Sequence, residues 1–386
     1  MIENIKNTFS EKFSRQPNLF RAPGRVNLIG EHTDYNEGFV LPASIDKEII
    51  FAIAPNETET CNVHALDLGE DYSFHLNDIS NPVQSWPDYL MGVVVQLQKR
   101  AKLSGFDLVF GGNIPLGAGL SSSAALECGL SFALNEIFAL AIPRLDMVQL
   151  SQAAENEFVG VQCGIMDQFA SMMGKANTAL KLDCRSLEFE EYPFNMNDYF
   201  LVLCDTQVKH SLASSEYNTR RQECEEGVKT LRKFYDINSL RDVDQEMLQK
   251  HQTEFDPVVY KRCMYVVMEN QRVHLACRAL QNNDLETFGQ KMYLSHEGLS
   301  NSYEVSCPEL DLFVDITKNI PGVLGARMMG GGFGGCTINL VHKDTVDDLQ
   351  QQIDAGFEVK FSQKAKFYKV KIEEGVSQHE KSISRQ

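Results

Sequence analysis

The amino-terminal residues set the first rhythm. Ile5, Phe9 and Phe13 recur at helical spacing among charged neighbours, which predicts a short helix over residues 1–14. Strand-like runs follow at 17–22 and 47–54, and Phe106, Leu108 and Phe110 flank Asp107 and Val109 in a further strand pattern. The segment NIPLGAGLSSSAALECGLSFALNEIFAL, residues 113–140, reads as a glycine-rich turn opening a long helix with Leu126, Leu130, Leu134 and Phe138 as its apolar stripe. Residues 145–160 are again helical and lead into CGIMDQFASMMG. Beyond about residue 180 the pattern changes: a strand at 199–204, a charged helix at roughly 214–235, and further helices over 243–298. Towards the end come a strand at 337–341, a helix with Val346, Leu349 and Ile353 on one face, and a last strand at 366–373. Strands and helices mix without a regular βαβα rhythm, so both halves are expected to be α+β. The expected division is 1–180 and 181–386, with no linker to mark it.

Composition bounds the function. With 386 residues and 43% hydrophobic content, two domains are expected. The net charge of −17 gives no overall attraction for nucleic acid or an anionic membrane. Any phosphate must therefore be captured locally, by backbone N–H groups, a metal or a few placed cations. The 10 cysteines occur singly, without a CxxC pair, which argues against a zinc or dithiol site. Together with a start that lacks a secretory apolar core, they point to a reducing cytoplasm. The longest apolar stretch, around 128–142, is interrupted by Asn135 and Glu136 and is too short to span a bilayer.

One segment is built to meet phosphate. In Pro115-Leu116-Gly117-Ala118-Gly119-Leu120-Ser121-Ser122-Ser123-Ala124, two glycines permit a tight backbone that exposes N–H groups just where a helix begins. Serine hydroxyls add donors to phosphate or oxygen ligands for Mg²⁺. A plain serine N-cap after a glycine turn is the competing reading. The segment is neither a Walker loop nor a dinucleotide fingerprint, and three consecutive serines favour a nucleotide cradle.

A second segment, Gly24-Arg25-Val26-Asn27-Leu28-Ile29-Gly30-Glu31-His32-Thr33-Asp34-Tyr35, clusters Glu31, His32 and Asp34. Such short-range donors and acceptors suit the hydroxyl ring of a hexose and discriminate between epimers; a solvated turn is the alternative. Here the chain resembles the galactokinases, relatives of the homoserine, mevalonate and phosphomevalonate kinases. The signature G-R-V-N-L-I-G-E-H-x-D-Y is matched at every fixed position. PLGAGLSSSAA is similar to the family's ATP loop and CGIMDQF, 163–169, to its catalytic segment. HSLASSEYNTRRQECE at 210–225, SHEGLSNSYEVSCPELD at 295–311 and MGGGFGGCTI at 329–338 resemble further family blocks.

The resemblance implies two α+β domains with the active site in the cleft between them, ATP as co-substrate and Mg²⁺ as metal. It makes Asp167 the catalytic carboxylate beside the sugar O1 and Arg25 its cationic neighbour. A helix-capping aspartate and a surface arginine are the bland alternatives. Beside Arg25 the carboxylate is expected to stay ionised and either accept the O1 proton late or orient the hydroxyl. Glu31, His32, Asp34, Gly164 and Tyr217 are implied galactose contacts. Gly117, Ala118, Gly119, Leu120, Ser121, Ser122 and Ser123 would hold the phosphates of ATP, with Trp86 and Tyr89 flanking adenine. Ser123 and Glu155 match the metal ligands, although Glu155 alone would pass as a helix-surface acid. The glycines at 330–335 are expected to make a close turn between the domains near the nucleotide. Cys163 and Cys336 are expected to pack as small residues, and His296 to give structural support.

The implied product is α-galactose 1-phosphate, and a cytoplasmic monomer without nucleic-acid or membrane partners is expected. An N-acetylgalactosamine or other sugar-1-kinase is a rival, separated by room for a C2 substituent. A non-catalytic galactose and ATP sensor is another, but it would be expected to lose the serine loop or the catalytic aspartate. Both are present.

Overall fold

The apolar run around Phe51 becomes the centre of the larger sheet in the computed structural model, which describes residues 1–115, 117–209 and 213–379. Helix α1 (Ile2–Phe13) leads into β1 (Asn18–Asn27), β2 (Phe39–Val40), β3 (Pro42–Pro55), β4 (Thr60–Ala65) and β5 (Glu70–His75). Next come α2 (Pro87–Gln98), β6 (Phe106–Gly112), α3 (Ser122–Ile137), α4 (Arg144–Ala153) and α5 (Met166–Met173). Strands β7 (Thr178–Asp183), β8 (Phe189–Pro193) and β9 (Tyr199–Lys209) precede α6 (Ala213–Leu231), α7 (Gln245–Lys250), α8 (Pro257–Gln281), α9 (Leu285–Asn301) and α10 (Pro308–Thr317). Strands β10 (Val323–Met328) and β11 (Gly334–His342), helix α11 (Val346–Phe361), β12 (Lys366–Val370) and β13 (Ser377–Gln378) follow. The α+β class holds.

The six-stranded sheet has the order β13-β1-β3-β6-β4-β5. In β3 the pleat sends Phe51 and Ile53 under α2 to α5, and Ile50, Ala52 and Ala54 against Ile5 and Phe9 of α1. Both faces are covered there, so residues 49–54 are apolar without a break, and each large side chain buried in that stretch contributes about 1.5–3 kcal/mol. Helix α3 lies so close that a Cβ on Gly129 would sit 2.2 Å from the Phe51 ring. That contact fixes where the serines at the helix start stand.

The second sheet, β10-β11-β9-β12, is covered by α10 and α11 on one face, through Phe313, Leu349, Ile353 and Phe357. Its other face sends Leu201, Leu203, Ile338 and Leu340 into a core shared with Val26, Leu28, Ile29 and Leu41 of the signature region. The signature thus lies against the seam of the two sheets. Strands β2, β7 and β8 form a small third sheet.

Most predicted elements appear, with three adjustments. The last strand ends at Val370 rather than 373, because the chain crosses to the larger sheet: Ile372 bridges Ile45, and β13 pairs with β1. The helix expected over 145–160 is α-helical only to Ala153 and then widens into a π turn, Ala154–Val159. The charged helix ends at Leu231 rather than 235. Among the described residues no helix is long and apolar enough to cross a membrane.

Candidate active site

A bulge in β1 between Pro23 and Arg25 breaks the pairing with β3 and brings Arg25 to the serine loop. Its backbone N–H donates to Leu120 O (3.1 Å) and its Nη1 to Gly119 O (2.5 Å). The rest of the guanidinium forms a fork on Asp167: Nε to Oδ1 at 2.7 Å and Nη2 to Oδ2 at 2.8 Å. Asp167 stands in the first turn of α5, where the helix dipole favours a carboxylate. Burial works against the charge of Arg25, but Asp167, with Glu31 and Asp34 beyond it, outweighs burial and raises the pKa. A third donor to Asp167 is the Ser121 hydroxyl, whose residue lies in the left-handed region at φ 56°.

Around this pair opens a cavity of about 560 Å³ lined by Arg25, Glu31, His32, Asp34, Glu155, Gly164, Asp167, Tyr217, Gly330 and Gly331. Of the signature carboxylates, Glu31 is the more constrained. Its Oε1 accepts from Arg327 Nη2 (2.9 Å) and from Gly330 N–H (2.8 Å). His32 also turns to the left-handed region, at φ 60°. Its Nδ1 lies 2.8 Å from the Tyr35 hydroxyl and its Nε2 3.2 Å from Gly331 O. Burial drives its pKa down to about 3, so the ring is neutral and donates to one partner while accepting from the other. Among the described residues no cation forms an ion pair with Asp34; burial first, then the charge of Asp167, raises its pKa to about 7. Its carboxylate packs so tightly on Gly164 that a Cβ there would fall 1.8 Å from Oδ2. Tyr217 of α6 closes the wall, its ring 5.4 Å from that of His32.

A second cavity, about 850 Å³, is lined by Trp86, Tyr89, Phe110, Ile114, Leu126, Asp67, Ser122 and Ser123. Trp86 Nε1 donates to Glu70 Oε2 at 2.7 Å, leaving the ring against the apolar wall. The glycine-serine loop separates the two cavities. Gly117 and Gly119 take positive φ (79° and 74°), which turns the chain there. Ala118 and Leu120 bury their side chains in the core, so only their backbone is available to a ligand. Ser121 faces Asp167, whereas Ser122 and Ser123 line the second cavity. Leu116 and residues 210–212, parts of the expected ATP-loop and 210–225 blocks, lie outside the described residues.

Glu155 sits in the π turn with a wall of acids behind it. Gln168 Nε2 donates to Glu155 Oε2 at 2.7 Å and to Glu127 Oε2 at 3.1 Å. Burial, then the neighbouring charge, raises the pKa of both: Asp167 acts on Glu155, and Glu155 on Glu127. The Ser123 hydroxyl also contacts Glu155. The thiol of Cys163 packs 3.5 Å from Glu155, and burial raises its pKa, which suits packing rather than nucleophilic chemistry. Cys336 is buried in the core. His296 supports β10: its Nδ1 accepts from Met328 N–H, and its Nε2 lies 3.2 Å from Asp311.

The third glycine block stands on the sugar-signature side as well as by the loop. Gly330 and Gly331 line the smaller cavity, and a Cβ on Gly330 would lie 3.9 Å from Gly119 O. Glu127, Gln168 and Arg327 were not singled out from sequence. Arg327 stands three residues before Gly330, the first glycine of the block, and a cation there within an apolar strand was the available signal. It is fully buried, donating to Leu28 O, Asn27 O and Met328 O besides Glu31.

A galactokinase galactose-binding signature matches residues 7–55, the N-terminal domain of GHMP kinases matches 88–175, and their C-terminal domain matches 276–359. The galactokinase of Thermotoga maritima is 40% identical over 92% of this chain and 98% of its own length. That of Actinobacillus succinogenes is 41% identical over 97% and 98%. The crystal structure of Lactococcus lactis galactokinase complexed with galactose superposes with a TM-score of 0.95 at 35% identity, covering 98% of this chain and all of that one. A mevalonate kinase at 20% identity shares the fold, with a TM-score of 0.65. With such identity over nearly its whole length, the chain belongs to the galactokinase family.

Proposed function

We propose that this protein transfers the γ-phosphoryl group of ATP to the anomeric hydroxyl of galactose, giving α-D-galactose 1-phosphate and ADP. The observation that carries the reading is the Arg25–Asp167 fork, set where the serine loop divides a hydroxyl-binding cavity from an apolar one. Galactose occupies the smaller cavity. The free oxygen of Glu31, with His32, Asp34 and Tyr217, meets its hydroxyls, and the absent side chain at Gly164 leaves Asp34 its place. ATP places adenine between the walls bearing Trp86 and Tyr89 and its phosphates over the backbone from Gly117 to Ser123, at the start of α3. Both oxygens of Asp167 accept from Arg25, so the carboxylate orients the O1 hydroxyl and takes its proton late, as charge builds on that oxygen. Arg25 is positioned to steady charge on the transferring group.

Magnesium fits the residues present. Among the described residues lining the two cavities, Arg25 is the one Lys or Arg, and it is committed to Asp167. Ser123 and Glu155 would hold the ion through hard oxygen atoms. When bound, the ion neutralises phosphate charge. The two lobes, residues 1–180 and 181–386, enclose the substrates between them. The protein works as a cytoplasmic monomer, without nucleic-acid or membrane partners.

The test is ATP consumption with Mg²⁺ on galactose, glucose, 2-deoxygalactose and N-acetylgalactosamine in parallel. Turnover on galactose, little on glucose, and loss in Asp167→Ala are expected. Preference for N-acetylgalactosamine would reassign the substrate. Binding of galactose and ATP without turnover on any sugar would make the protein a sensor.

A further inference from the structure

We propose that Gln168 is a positioning residue for the magnesium ligand Glu155, holding that carboxylate against Glu127 so that it faces the phosphates. The inference rests on the assignment of Glu155 to the metal. Gln168 is fully buried, and its amide nitrogen carries two protons for two carboxyl groups, at 2.7 Å from Glu155 and 3.1 Å from Glu127. The opposite end of the amide, Oε1, has no hydrogen-bond partner among the described residues. Reversing the amide would face its oxygen to two carboxyls, so the donor orientation is the one the surroundings require. The amide is therefore held by the acids to which its nitrogen donates, with its buried carbonyl left unpaired.

Two further features make the contact consequential. Glu155 stands in a π turn, where its own carbonyl accepts from both Gly160 and Val161, so the helix ladder does little to fix its side chain. No Lys, Arg or His among the described residues counters either acid: the groups acting on Glu155 and Glu127 are other carboxyls, Ser123, Cys163 and Gln168 itself. Glu127 and Glu155 also hydrogen-bond to each other, which keeps the pair together but does not by itself set the direction of Glu155; an amide donating to both does. Gln168 is that donor, and its neighbour in sequence is Asp167. A single turn of α5 thus orients the carboxylate at the sugar and the one at the metal.

The experiment measures the Mg²⁺ concentration that half-saturates ADP binding, by calorimetry, alongside galactose affinity in chelator. Wild type, Gln168→Met, Gln168→Asn and Glu155→Ala are compared. Loss of an outer partner of a metal ligand typically weakens metal affinity about 10–100-fold, and that rise is expected in both Gln168 variants, with metal-free galactose affinity unchanged. Should the methionine variant fail to fold, the asparagine variant, which keeps an amide one methylene short, gives the reading. An unchanged Mg²⁺ requirement in the Gln168 variants, with Glu155→Ala raising it, overturns the positioning role. So does a parallel loss of galactose affinity, which would mark a general packing role. An unchanged requirement in Glu155→Ala itself would instead overturn the metal assignment.

Discussion

Asp34 offers the sharpest link between the site and the stability of the fold. Its carboxyl titrates at about 7 in the folded protein instead of 3.8, because of burial and the nearby charge of Asp167. The folded state holds this proton over a pH range in which the unfolded chain has released it. A carboxyl raised in this way contributes stability that is present below the unfolded pKa and is lost as pH rises through the folded one. Across that gap, the ionised Asp34 costs at most about 4 kcal/mol at pH 8. Part of the side chain faces the cavity, where water screens it, so about 2 kcal/mol is the expected value. The perturbation is Asp34→Asn, which keeps the shape and cannot ionise. Urea unfolding of both proteins at pH 5 and pH 8 is the assay. The variant should gain on the wild type as pH rises, while losing galactose affinity because a carboxylate acceptor is gone. Galactose hydroxyls donate to the carboxylate and favour its ionised form, so the wild-type galactose affinity should rise from pH 6 to 8. A stability difference that stays constant from pH 5 to 8 would refute the reasoning.

Three further outcomes are expected. Gly164→Ala forces a Cβ to 1.8 Å from Asp34 Oδ2, so galactose KM should rise at least about tenfold while ADP affinity holds; steady-state kinetics with calorimetry reads both. Trp86→Ala should raise the KM for ATP and leave the galactose affinity intact, since Trp86 lines only the apolar cavity of the two. Arg327→Met removes the buried partner of Glu31 and four donated hydrogen bonds, and should lower unfolding free energy by about 3–5 kcal/mol in urea titrations.

What was legible in the sequence was local. The signature lies within twelve residues, and its residue types speak for hydroxyl recognition before any fold is known. Helices α1, α3 and α11 carry clean stripes and were readable for the same reason. Strands β4 and β5 were not read: β5 is a short edge strand in which Tyr72 and Phe74 are only half-buried among exposed polar residues, so its alternation spans just two apolar positions. Partners distant in sequence were also hidden. Arg327 meets Glu31 across 296 positions, and Gly331 meets His32 across 299. Nor does spacing reveal which way consecutive serines turn. The left-handed backbone at Ser121 sends that hydroxyl to Asp167, although its two successors face the other cavity.

The distribution of charge explains why these far contacts matter. Glu31, Asp34, Glu155 and Asp167 surround the smaller cavity, and Glu127 stands behind them. Each guanidinium nearby is assigned: Arg25 to Asp167 and Arg327 to Glu31. Among the described residues neither Asp34 nor Glu155 has an ion-pair partner, and their environments answer in different ways. Asp34 can wait as an acid and ionise when a sugar donates hydrogen bonds to it. Glu155 is held by an amide, which orients it without cancelling its charge. A lysine in that place would hold the carboxylate as firmly but would consume the charge that an incoming ion must meet. The choice of a neutral donor at residue 168 therefore follows from the task at residue 155. In a chain of net charge −17, with one committed arginine among the described residues lining its two cavities, triphosphate has little else to neutralise it than that ion and the backbone amides at the start of α3.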